Sequence, residues 1–287
     1  MKIKYVLNRF ESFLVNNILT SDKLYYSYVF FRAHKKLINW NMPESFSEKI
    51  FWRKLHQRNE KFSLCSDKYH VRSYVSEVSQ CDLIPLIGHY ECWGDINFDL
   101  LPDSFVIKTT HDSGGVVIVR DKINFDKKKA KKVIEASLSK NYGKKNRESH
   151  YSLIEPKIII EELLLVNNEL PNDIKVHCFN GEPKFIQVAN PEHTTNDIFD
   201  FSWNRLTIKY KNENSKHEIS RPQNIDDIYI RAKELCKDFD YVRVDLYHDD
   251  DKVFFGELTF TPNDGTAQFT PKEINYEWGR LWELDRK

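Results

Sequence analysis

Hydrophobic positions change their spacing along the chain. Residues 1–60 read as helical and rich in aromatics. Ser45 with Glu48 forms a capping box ahead of an apolar stripe at Ile50, Phe51, Trp52 and Leu55, so a helix begins there. A second helix is expected over Lys68–Val78, and Asp82–Gly88 reads as a short strand and turn. From Phe105 the texture becomes strand-like: Phe105–Lys108 and Val116–Val119 flank a turn at His111–Gly115. Asp126 opens a helix whose lysines make a solvated face, and residues 139–152 read as a mobile polar loop. Lys157–Leu164 is a buried strand that ends in acids. Ile174–Phe179 and Lys184–Val188 flank Asn180-Gly181, a hairpin signal. Asn224 caps a helix with apolar residues at Ile228, Ala232, Leu235, Cys236 and Phe239. Tyr241–Tyr247 and Val253–Phe260 close the chain as a second hairpin. Helices dominate the first half and strands the second, which makes the class α+β.

Composition narrows the picture. The chain has 287 residues, enough for one large domain or two smaller ones. Lys+Arg and Asp+Glu both number 43, so there is no bulk charge for nucleic acid, and any phosphate binding must be local. Cys65, Cys81, Cys92, Cys178 and Cys236 form no CxxC pair or metal-ligand cluster, which favours a reducing compartment. Lys2, Lys4 and Arg9 interrupt the first apolar pattern, and no apolar run has the length of a membrane span, so a cytoplasmic protein is expected. Tyr25, Tyr26, Tyr28, Phe30 and Phe31 lie among Lys23, Arg32, Lys35 and Lys36. Such a surface can touch a membrane. Packing against the rest of the protein is the preferred reading.

The closing hairpin carries the clearest chemistry. Arg243, Asp245 and Tyr247 share one face of its first strand, with Val242, Val244 and Leu246 on the other. On the second strand Val253, Phe255, Glu257 and Thr259 are expected together, opposite Phe254, Gly256, Leu258 and Phe260. A three-residue loop at Asp250–Lys252 puts Asp245 opposite Glu257 and Arg243 opposite Thr259. Two adjacent carboxylates call for a cation, either a hard metal ion such as Mg²⁺ or Arg243 itself in a structural salt-bridge network. Lys108 ahead of Asp112-Ser113-Gly114-Gly115 suggests an anion nest, although alone it reads as an ordinary turn. Glu161 and Glu162 end one strand, and Asp173-Ile174-Lys175 begins another. Acids at a strand end can accept from an adenine amino group or ribose hydroxyls. No Walker A loop, GxGxxG, GxSxG or HExxH is present.

Taken in order, these pieces resemble an ATP-grasp enzyme, and more closely the TupA-like ATP-grasp family. The resemblance runs from Pro43–Trp52 and Asp67–Arg72 through Leu101–Lys108 and Asp173–Gly181 to Val242–Tyr247 and Phe255–Pro262. It implies an ATP cleft between two α+β subdomains, with residues 1–100 as a helical N-terminal region, 101–165 as the lid and 166–287 as the core. It implies Lys108, Ser113, Gly114 and Gly115 on the phosphates, and Glu161, Glu162 and the Leu164 backbone about the adenine. It implies Lys175 as a further cofactor-binding and catalytic cation, Arg243 as a catalytic arginine, and Asp245, Glu257 and Thr259 toward Mg²⁺. Glu257-Leu258-Thr259 departs from the Glu-x-Asn ending of many ATP-grasp ligases, with Thr259 a weaker neutral oxygen ligand than an amide carbonyl. The implied activity is ATP-dependent amide formation between a carboxylate and an amine, modifying a surface polysaccharide such as capsule or O-antigen. Small-molecule or glycan carboxylates, an amine, and peripheral contact with membrane-bound polysaccharide machinery are the expected partners.

The alternative is a metal-dependent glycosyltransferase using Asp249-Asp250-Asp251 as a DxD motif, although a solvated turn is the simpler reading. A kinase that stops at phosphoryl transfer also remains open, and so does a nucleotide-binding regulator. Arg72, His177, His193 and Arg205 are candidate substrate contacts for which a structural role is preferred.

Overall fold

Capping decides where the first helices start. In the computed structural model, which describes residues 20–57, 59–140, 143, 147–249 and 251–284, Ser21 caps α1 (Asp22–His34). The expected capping box opens α2 (Phe46–His56): Glu48 N–H donates to Ser45 Oγ at 3.2 Å, and Ser45 N–H donates to Glu48 Oε2 at 2.9 Å. Tyr26 and Phe30 of α1 pack edge-on against Phe51 of α2, as the aromatic run suggested, while Leu24 and Phe31 on its opposite side are exposed. Next come α3 (Glu60–Ser66) and α4 (Val71–Val78). The expected helix from Lys68 starts three residues late. Asp67 Oδ1 accepts from Tyr69 N and His70 N, which holds Lys68 in a turn ahead of α4.

Two sheets form the body, and β10 (Lys209–Tyr210) pairs with β13 (Phe269–Thr270) as a separate two-stranded ribbon. The larger has the order β1-β12-β11-β6-β7-β8-β9. Its members are β1 (Asp82–Leu83), β6 (Asp173–Phe179), β7 (Glu182–Ala189), β8 (Asn196–Phe199), β9 (Arg205–Leu206), β11 (Tyr241–His248) and β12 (Val253–Thr259). All pairs are antiparallel except β1 with β12. The smaller sheet is β2 (Leu86–Tyr90), β5 (Ile158–Glu162), β3 (Phe105–Thr109) and β4 (Val116–Val119), in that order. Its core takes Ile134 from α5 (Lys127–Leu138). The chain therefore passes from large sheet to small sheet across Ile84 and Pro85 alone, inside the expected 1–100 region.

Alternation along β6 and β11 sorts the side chains. Ile174, Val176, Cys178, Val242, Val244 and Leu246 enter one core with α6 (Ile225–Cys236). On the opposite face Phe179 and Tyr241 enter a second core with Trp278 of α7 (Glu273–Leu281) and with Trp282. Arg53 of α2 is fully buried against that end. Its Nη1 donates to Tyr241 O at 2.8 Å and Phe260 O at 3.0 Å, and its guanidinium lies 4.4 Å from a Trp282 ring centre.

The closing hairpin has the expected pairs Asp245↔Glu257 and Arg243↔Thr259, reached by a different path. His248 pairs with Val253, so the connection is one residue longer than expected, and the register shifts beyond Asp245. Gly256 is the extra residue, a β-bulge. The bulge reverses the face of everything between it and the turn. Val253 and Phe255 join Leu258 and Phe260 in the core instead of sharing a face with Glu257. A Cβ on Gly256 would lie 2.9 Å from Asp245 O and 3.2 Å from Tyr247 Cε2. Part of the stretch expected to be a mobile loop is packed: Ser149–Leu153 forms a short helical turn, and the neighbouring Glu148 is buried and accepts from Thr261 Oγ1. Residues 141, 142 and 144–146 of that stretch lie outside the described residues.

Candidate active site

Three rungs shared by β6 and β11 run from the aromatic core to a cavity. Phe179 pairs with Tyr241, His177 with Arg243, and Lys175 with Asp245. The face changes from apolar to polar to charged over five residues. His177 is fully buried between Tyr241 Oη at 2.9 Å and Gln187 Oε1 at 3.0 Å, so its preferred structural role stands. Burial, aided by Arg243, lowers its pKa to about 3, which keeps the ring neutral.

At the last rung Asp245 is almost wholly buried and doubly held. Arg243 Nε and Nη2 grip its two oxygens at 2.6 and 2.7 Å, and Lys175 Nζ stands 3.0 Å from Oδ2. Arg243 Nη2 also reaches Glu257 Oε1 at 3.2 Å and Thr259 Oγ1 at 3.0 Å, and Thr259 Oγ1 donates to Glu257 Oε1 at 2.8 Å. Burial opposes the charge on Arg243, but Asp245 and Glu257 outweigh it and raise its pKa. The salt-bridge network considered for these residues is thus formed. Asp245 and Glu257 line the cavity, while Arg243 and Thr259 do not.

The cavity, of about 420 Å³, lies between the two sheets. Its apolar lining includes Ile84, Val106, Ile118, Leu163, Leu164 and Leu170, and Glu162 also lines it. From the small sheet comes Lys108, whose Nζ is 2.7 Å from Glu161 Oε2. Arg72 Nη1 takes the other oxygen of Glu161 at 3.0 Å, while Nη2 donates to Ile84 O at 2.9 Å. The Glu161 carboxylate, which lines the cavity, therefore holds two cations. Lys68 also lines the cavity, and its Nζ donates to Asp112 O. Burial lowers its pKa, against the pull of Glu257 and Asp112. Sequence reasoning gave Lys68 no role and preferred a structural one for Arg72. The signal that could have found them is Asp67, whose cap stops the helix and turns Lys68 toward Thr110, where its N–H donates to the Thr110 carbonyl.

The glycine turn differs from the nest expected. Neither Gly114 nor Gly115 has a positive φ. Gly115 N–H donates inward to Asp112 Oδ1 at 3.0 Å, and a Cβ there would overlap Thr109 Oγ1 and Ser137 Oγ. Gly115 thus serves close packing, not left-handed geometry. Burial alone would raise the Asp112 pKa, but bonds from Ser137, Thr109 and Gly115 N–H lower it. Ser113 is the turn residue that lines the cavity.

Beyond Lys175 the wall continues through Asp173, Pro171, Pro191, His193 and Tyr247. Asp173 Oδ2 is 3.4 Å from Lys175 Nζ and 3.2 Å from His193 Nδ1. Burial, then Asp173 and Glu257, push the Tyr247 phenol well above its usual pKa. Arg205 is bound to Asp197 and to Ser215 O, outside this cavity. Asp249 Oδ1 accepts from Asp251 N at 2.9 Å and Lys252 N at 2.6 Å, so that aspartate braces its own turn, and Asp250 lies outside the described residues. Among the described residues no helix is long and apolar enough to cross a membrane.

Comparison with solved structures returns ATP-dependent ligases at low similarity. D-alanine–D-alanine ligase from Helicobacter pylori is 16% identical over 83% of this chain and 68% of that one, with a TM-score of 0.47. The Bacillus anthracis enzyme complexed with ATP is 18% identical over 69% of this chain and 54% of its own, with a TM-score of 0.41. The ATP-grasp ligase PsnB, complexed with a phosphomimetic variant of minimal precursor, Mg and ADP, is 10% identical over 75% of this chain and 58% of its own, with a TM-score of 0.40. The chain thus spans little more than half the length of the Bacillus anthracis ligase. No curated protein matches. The TupA-like ATP-grasp family matches residues 48–282, which takes in both sheets and every wall of the cavity, and the chain belongs to that family, with its α+β ATP-grasp fold.

Proposed function

We propose that the protein is an ATP-dependent carboxylate–amine ligase that modifies a surface polysaccharide or its precursor. The observation that carries this reading is the set of groups that line one cavity. Apolar side chains suited to a purine share it with Lys108, Lys68, Lys175 and the Asp245–Glu257 pair. The donor set there fits a hard cation. Asp245 and Glu257 are paired across the hairpin and both line the cavity. Among the described residues no three His, Cys, Asp or Glu side chains converge on one point. Two carboxylates suit Mg²⁺, which takes its remaining ligands from phosphate and water.

Bound there, ATP with Mg²⁺ would supply the phosphoryl group that turns a substrate carboxylate into an acyl phosphate. Asp245 and Glu257 would hold the metal. Lys108, Lys68 and Lys175 would neutralise phosphate charge, which is most of what such a transfer asks of a protein. Arg243 stands behind the carboxylates and fixes their positions, so its part is orientation rather than contact with reacting atoms. Leu163 and Leu164 would exclude water from the base.

The test is a thermal shift with nucleotides and Mg²⁺. A ligand at a hundred times its Kd stabilises by about 2.7 kcal/mol. ATP should raise the melting temperature, Lys108→Ala should remove most of that rise, and Asp251→Ala should keep it. Stabilisation by a UDP-sugar and not by ATP would sink the reading.

A further inference from the structure

The ligase reading leaves one chemical need unmet. An amine reaches the site at neutral pH as an ammonium ion, and it cannot attack until that proton is removed. Asp245, Asp173 and Glu257 are all engaged with cations or hydroxyls. His193 differs. Its Nδ1 lies 3.2 Å from Asp173 Oδ2, which leaves Nε2 as the ring nitrogen turned away from that carboxylate. Asp173 is buried, whereas the His193 side chain is 61% exposed and lines the cavity.

The loop backbone around His193 is fixed by its own hydrogen bonds. His193 has φ of 53°, in the left-handed region. Its N–H donates to Asn190 O at 2.8 Å, and Asn190 Oδ1 accepts from Thr194 N and Thr195 N, both at 2.8 Å. Asp245, Lys175, Asp173 and His193 follow one another in contact along the wall, so the imidazole stands at the end of a row that begins at a carboxylate proposed to hold the metal.

We propose that His193, oriented by Asp173, is the general base that deprotonates the incoming amine. This inference rests on the ligase reading above. His193 Nε2 takes one proton from the ammonium ion and passes it to water at its exposed edge. The nitrogen lone pair then forms the C–N bond with the acyl carbon. The C–O bond to phosphate breaks, and the second nitrogen proton leaves with phosphate as hydrogen phosphate. No oxidant or further reactant is needed. Asp173 is a positioning residue, and the amine class is one protonated at neutral pH, such as an amino acid.

The experiment separates the two half-reactions. Wild type, His193→Gln and Asp173→Asn are given ATP, Mg²⁺ and a set of carboxylates comprising glucuronate, galacturonate and glutamate. Hydroxylamine or an amino acid serves as nucleophile. Hydroxylamine is unprotonated at neutral pH and needs no base, so hydroxamate should form at similar rates in all three proteins. Amide formation with alanine or lysine should fall about a hundredfold in both variants, and added imidazole should restore part of it in His193→Ala. Equal loss of hydroxamate and amide would overturn the inference and leave the ligase reading standing. Undiminished amide formation in His193→Gln would also overturn it. Absence of ATP-dependent hydroxamate in wild type would remove the ligase reading, and this inference with it.

Discussion

Replacing Asp245 by Asn should destabilise the protein strongly even without ligand. Two neighbouring carboxylates suggest the reverse, since neutralising one ought to relieve repulsion. The geometry reverses that expectation. Asp245 is held by Arg243 at 2.6 and 2.7 Å and by Lys175 at 3.0 Å, with the side chains of all three no more than 11% exposed. An asparagine keeps one acceptor oxygen, loses the bidentate grip, and turns an NH₂ toward a cation. Breaking one partner of a buried pair costs about 3–5 kcal/mol, because the other charge stays buried. At ~2–4 °C per kcal/mol for a chain of this size, the melting temperature should drop by on the order of 10 °C. Glu257 supplies the internal control. Its side chain is 45% exposed and meets Arg243 at 3.2 Å, so Glu257→Gln should cost about 1 kcal/mol or less. Differential scanning calorimetry on the ligand-free proteins reads both. ADP release with Mg²⁺ should be lost in both variants, so activity and stability part company at Glu257. Equal melting temperatures for the two variants, or an Asp245→Asn protein more stable than wild type, would refute the argument that Arg243 and Lys175 neutralise the pair.

Two further outcomes follow from burial and from the bulge. His177 is neutral in the folded state with its pKa near 3, whereas the unfolded chain takes up that proton below about pH 6.5, so stability is lost as pH falls through that window. Urea midpoints should show wild type losing about 2 kcal/mol more than His177→Gln between pH 6.5 and 5, and parallel pH profiles would contradict this. Gly256→Val should cost about 1–3 kcal/mol through contact with the Asp245 carbonyl and Tyr247, and should weaken the thermal shift by ATP as Glu257 moves; an unchanged melting temperature would count against the bulge.

The strands of the site were legible because alternation and the Asn180-Gly181 turn are local signals. The Asp245↔Glu257 pairing was legible only through two errors that cancel: a loop expected one residue short and a bulge not expected at all. Nothing in a period-two pattern marks Gly256 as unpaired, and so Val253 and Phe255 were placed on the wrong face. Lys68 and Arg72 were hidden for another reason. Their partners, Asp112 and Glu161, are far away in sequence, and such pairings are set by how the small sheet settles against α4. The left-handed backbone at His193 has no signature in its own residue type beyond a mild preference.

The passage from β1 to β2 across Ile84 and Pro85 has a consequence for how the chain folds. The small sheet begins at Leu86 and returns at Glu161, and these two residues pair with each other. Its entry and exit points are therefore adjacent, as in a module spliced into a host at one site. The host must meanwhile bring Asp82 beside Phe254, a closure across most of the chain. An insert that ties its own ends together shortens the effective loop the host has to close, and loop-closure entropy grows with that length. The small sheet can thus also serve as a clasp during folding: formed first, it lowers the entropic barrier to assembling the edge of the large sheet.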